Sequence, residues 1–155
     1  MKSFKQHISE ASDNGDCFEV AANAMVDFRR AGDATPVKMV HAYVQGQGSL
    51  EGRRFAHGFN LLTDDVVMDN SNGNKVVMRR EQYYTLGGID TKERGAYKEY
   101  DKKETMAALV KYKHYGPWHL NKSLDEQIPD KKKEIGKKKS RIPSEVLRMV
   151  KDELE

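Results

Sequence analysis

At 155 residues the chain is the length of one domain and long enough to bury a core. With 37% hydrophobic and 33% charged side chains, it reads as a globular domain carrying some solvated tail. No apolar run approaches the ~18–20 residues of a membrane span. The polar stretch Met1 to Asp16 lacks the apolar segment of a secretory signal, so a cytoplasmic protein without membrane contact is expected. One cysteine excludes a disulfide framework and a multi-cysteine zinc site.

The net charge of +3 is too balanced for a domain that binds nucleic acid over its whole surface. It is also unevenly placed. Between Asp130 and Arg141, seven basic side chains stand against two acidic ones, a local +5 that leaves −2 for the remainder. The basic character therefore belongs to one segment.

In chain order, Phe4 and Ile8 allow one amphipathic turn, and 12–16 (Ser-Asp-Asn-Gly-Asp) is a cluster of turn and capping residues. Phe18, Ala21, Ala22, Met25 and Phe28 then recur at helical spacing, which predicts a helix over 16–31. From Val37 to Val44 the pattern becomes β-branched and aromatic, a buried strand. A glycine-rich loop, 45–54, leads to a strand over 55–62, a turn at Thr63-Asp64-Asp65 and a hairpin partner over 66–69. Asn72-Gly73 predicts a type I′ turn into a strand over 75–79. A short helical turn over 81–86, an edge strand over 96–100 and a helix capped by Asp101 and stopped by Gly116-Pro117 follow. The expected domain is 1–120. Residues 121–155 are expected to be a basic linker and a short helix over 144–154. The class is α+β: a helix bearing the cysteine, packed on an antiparallel sheet, with a second helix after it.

Cys17 opens the first long helix, where the helix dipole favours a thiolate. A thiol nucleophile needs a base, and the base needs an orienting acceptor. His57, on the strand after the glycine-rich loop, and Asp69, at the end of the next strand, are the candidates. Antiparallel neighbours can bring the two side by side on one face. His41, on the preceding strand, is the rival base, but no acid follows it at hairpin distance. The plainer readings are a cysteine that is simply a small buried hydrophobe, a strand histidine satisfied by backbone, and an aspartate that only shapes a turn.

A helix opening with Cys, a strand carrying His and a paired strand ending in Asp resemble the transglutaminase-like branch of the papain-like cysteine protease superfamily. The segments that carry the resemblance are Phe55-Ala56-His57-Gly58-Phe59-Asn60-Leu61-Leu62 and Val66-Val67-Met68-Asp69-Asn70-Ser71, within 16–84, about half of the chain. The resemblance implies Cys17 as nucleophile, His57 as general base and acid, and Asp69 as orienter. It further implies a hydrolase (peptidase or amidase) or an acyltransferase acting on an amide or peptide bond of a protein or peptide substrate, without a cofactor. In this family some members are inactive. The family's aromatic beside the cysteine has a counterpart in Phe18, but no glutamine stands a few residues before Cys17. The oxyanion donors are then the Cys17 amide, or Gln45 or Gln47 from the loop.

Other features carry less chemistry. Gly46, Gly48 and Gly52 precede a strand rather than a helix, so they read as a flap and not a phosphate loop. His114 and His119 have no carboxylate at metal-ligand spacing, so no metal site is expected. Trp118 reads as a packing anchor. The lysine segment Lys131 to Arg141 reads as a solvated tail. The alternative function is an inactive papain-like interaction protein that binds an acidic partner or nucleic acid through that segment.

Overall fold

The computed structural model describes residues 16–26, 36–46, 51–73, 75–124 and 142–154. The expected turn at Phe4 and Ile8, the end of the first helix beyond residue 26, Gln47 and the lysine segment 131–141 lie outside the described residues.

The chain is α+β. Helix α1 (Cys17–Val26) is followed by strands β1 (Lys38–Gln45), β2 (Arg54–Thr63), β3 (Val66–Asp69) and β4 (Val76–Arg79). Then come helix α2 (Arg80–Gly87), strand β5 (Tyr97–Tyr100), helix α3 (Lys102–Tyr112) and helix α4 (Ser144–Leu154). The five strands form one antiparallel sheet in the order β4-β3-β2-β1-β5. β5 is the edge strand its position after the helical turn suggests.

Strand alternation divides the side chains between two cores. Met39 on one face joins Ala21, Ala22 and Met25 of α1, with Met106 and Leu109 of α3. Val40 and Ala42 on the other face join Phe59, Leu61 and Val67, beneath Tyr83 and Tyr84 of α2. The sheet is thus covered by α1, α3 and α4 on one side and by α2 on the other. Asp101 starts α3 through a capping box: its carboxylate accepts from the Glu104 amide at 2.7 Å, and the Glu104 carboxylate accepts from the Asp101 amide at 3.1 Å.

Two details differ from the sequence reading. The Asn72-Gly73 turn is not a two-residue hairpin. Asp69 pairs with Val76, and Ser71–Gly73 form a 3-10 turn between them, because the Asp69 carboxylate captures the amide and hydroxyl of Ser71. The C-terminal helix forms over Ser144–Leu154 as expected, but it packs on α3 and buries Val150 and Ile142 in the same cluster as Met25 and Leu109. Its apolar stripe completes the helical side of the core. No helix among the described residues is long and apolar enough to cross a membrane.

Candidate active site

The first turn of α1, the middle of β2 and the end of β3 meet at one corner of the sheet. Pairing of β2 with β3 runs only from Asn60↔Met68 to Thr63↔Val66. The edge of β2 beside His57 is therefore left by β3, and the start of α1 and the 3-10 turn come together there. Two features of β2 hold α1 in place. Asn60 donates its side-chain amide to the Ala21 carbonyl at 2.9 Å, inside the core. Gly58 presents no Cβ to α1: one built there would lie 2.8 Å from the Phe18 ring and 3.3 Å from its Cα. The helix backbone can approach β2 this closely only because position 58 is glycine.

Cys17, His57 and Asp69 are all buried at this corner. His57 Nε2 donates to Asp69 Oδ2 at 2.7 Å. The two are not a laddered pair, as simple hairpin geometry suggests. Asp69 reaches His57 diagonally from the end of its strand. The Cys17 side chain is close enough to His57 to act on its charge. Burial, the largest single influence on His57, pulls its pKa down. The Asp69 carboxylate and the Cys17 sulfur together outweigh it, and the ring is pushed up to about 10. The ring therefore holds a proton more tightly than a free imidazole does.

The Asp69 carboxylate is held at both oxygens. Oδ1 accepts from the Ser71 amide at 3.1 Å and the Ser71 hydroxyl at 2.8 Å. Oδ2 accepts from Tyr83 at 2.6 Å as well as from His57. Burial, then the neighbouring carboxylate, push the Tyr83 phenol well above its ordinary range, so it keeps its proton and donates. Asp69 thus shapes the turn through one oxygen and orients the imidazole through the other.

His41 belongs to a different environment. It pairs with Gly58, whereas His57 pairs with Ala42, so the two imidazoles point to opposite faces. Phe18, Tyr100 and Trp118 surround His41 with ring centroids at 4.9 Å each. Burial, then the charges of His119 and His114, push it down to about 3, so it is a neutral core ring. Trp118, which donates to the His114 carbonyl at 2.9 Å, is the anchor expected of it.

Gln45 ends β1 opposite Arg54, three residues beyond the Ala42 that faces His57. Its side chain packs on Gly88, behind the C-terminus of α2. That strand offset from the residue paired with His57 is about 10 Å. The Cys17 amide, in contrast, stands in the first turn: the earliest bond of the α1 ladder runs from the Val20 amide to the Asp16 carbonyl at 2.9 Å. Among the described residues no group of three His, Cys, Asp or Glu side chains is placed to hold a metal.

Asn60, Ser71 and Tyr83 were not among the residues singled out from the sequence. Asn60 had a signal, a lone amide inside an apolar strand, and Asp-x-Ser after a strand is a turn signature. Tyr83 had none, since only the packing of α2 brings it over Asp69. Comparison of the chain with protein families, curated proteins and solved structures finds no match.

Proposed function

We propose that the protein is a cysteine-dependent hydrolase or acyltransferase with a papain-like, transglutaminase-like core, acting on an amide or peptide bond. The observation that carries this reading is the buried His57 to Asp69 hydrogen bond of 2.7 Å, with the Cys17 side chain close enough to act on the same imidazole. This is the order nucleophile, base and orienter that thiol catalysis requires.

In this reading Cys17 Sγ gives its proton to His57, attacks the carbonyl carbon and forms a C–S bond. The amides of the first turn of α1, that of Cys17 first, face the developing oxyanion. Collapse of the tetrahedral intermediate breaks the C–N bond, and His57 delivers its proton to the departing nitrogen. A thioester to Cys17 remains. Water, in hydrolysis, or an acceptor amine, in transfer, gives a proton to His57 and attacks the thioester. The sulfur leaves with the electron pair of the C–S bond. Asp69 keeps the ring oriented throughout and stabilises its cationic form.

The test uses the single thiol. Iodoacetamide should alkylate Cys17 in the native protein, and His57→Gln should slow this at neutral pH by at least about tenfold. Cys17→Ala should keep the same circular dichroism and melting temperature. A native thiol that reacts slowly and equally in both proteins, and quickly only on unfolding, refutes the proposal.

A further inference from the structure

We propose that Tyr83 is a positioning residue of this site, which shares the Asp69 oxygen that His57 uses and so moderates the hold of the carboxylate on the imidazolium. The inference rests on the reading of Cys17, His57 and Asp69 as the reacting machinery, and it concerns how that machinery is regulated.

Two donors converge on Asp69 Oδ2, the Tyr83 hydroxyl at 2.6 Å and His57 Nε2 at 2.7 Å. Donors on one oxygen compete for its charge, so each bond is weaker than it would be alone. The phenol hydrogen bond is strongest when His57 is neutral and Asp69 carries its full charge. It weakens when His57 is cationic. Tyr83 therefore favours the neutral ring relative to a site that lacks it. Ser71 acts in the same direction from Oδ1, with its hydroxyl at 2.8 Å, but one atom further from the ring.

The placement suits this role. Tyr83 is wholly buried, and its phenol is kept protonated by burial and the adjacent carboxylate, so it can donate but cannot take a proton from Asp69. It sits on α2, which covers the face of the sheet that carries Phe59, Leu61 and Val67, and its hydroxyl reaches Asp69 from there. A general acid must release its proton to the leaving nitrogen, and an imidazolium gripped by an unshared carboxylate releases it poorly. Asp69 of β3 and Cys17 of α1 are the titratable groups that act on His57, and Tyr83 of α2 reaches it through the Asp69 oxygen, where it offsets the carboxylate.

The experiment follows the His57 ring by nitrogen NMR across alkaline pH in the full chain, assigned with His57→Gln. In Tyr83→Phe the midpoint should move upward, by roughly half a unit or more for one neutral hydrogen bond. In Ser71→Ala it should move upward by less, and Ser71→Thr should restore it. A rise in Tyr83→Phe supports the inference, while an unchanged or lowered midpoint overturns it. If Tyr83→Phe does not fold, the Ser71 pair decides: a rise in Ser71→Ala that Ser71→Thr reverses supports carboxylate sharing, and no rise overturns it. Failure of the broader reading looks different. It would be seen as alkylation of Cys17 indifferent to His57→Gln, whatever the midpoint does.

Discussion

Replacing Gly58 by alanine tests whether close approach of α1 to β2 is what delivers the thiol to its base. The new methyl would lie 2.8 Å from Phe18 Cδ1 and 3.3 Å from Phe18 Cα. Carbon atoms prefer about 3.5–4.0 Å, so the ring contact is about 1 Å too short. Phe18 cannot simply turn aside, because its ring packs edge-on against His41 at 4.9 Å and its own backbone is also too close. Part of the strain must be relieved by withdrawal of the first turn of α1, which carries Cys17. The expected cost is about 1–3 kcal/mol, or a melting temperature lower by roughly 3–10 °C. A sulfur displaced by the better part of an ångström from His57 should be alkylated about 10–100-fold more slowly at neutral pH. Gly52→Ala is the control. Its φ of +83° penalises a side chain but no heavy atom lies within 4 Å, so stability should fall while alkylation is unchanged. A folded Gly58→Ala protein whose thiol reacts at the wild-type rate would refute the argument.

Two further predictions concern the core. His41 is held neutral, at about 3 against an ordinary 6.5, so between those values the unfolded chain binds the extra proton. Its stabilising effect is complete above 6.5 and is lost as pH falls towards 3, with up to about 4–5 kcal/mol at stake. Urea unfolding at several pH values should show a shallower acid decline in His41→Phe than in wild type, and equal slopes would count against it. Val150 is fully buried against the helical core, so Val150→Asp should cost about 3–5 kcal/mol and lower the melting temperature by roughly 10 °C. A variant that melts with the wild type would return α4 to the status of a tail.

The order of elements and the choice of Cys17, His57 and Asp69 are legible in the chain. Helix, strand and cap are local properties, visible in the spacing of Phe18, Ala21, Ala22 and Met25 and in the Asp101 to Glu104 box. The preference for His57 over His41 is already in the chain, since only His57 is followed by an acid at hairpin distance, and the tertiary structure supplies the physical reason. Both lie on apolar strands, and only the register, with Gly58 opposite one and Ala42 opposite the other, turns them to different faces. Tyr83 and Gln45 are decided by the tertiary structure alone, since their placement depends on how α2 lies across the sheet. The same holds for α4, whose apolar stripe is legible in the chain while its partner, α3, is not. Local propensity acts over a few residues. The site is made by contacts between residues as distant as Cys17 and Tyr83, and no periodicity records which surfaces will meet.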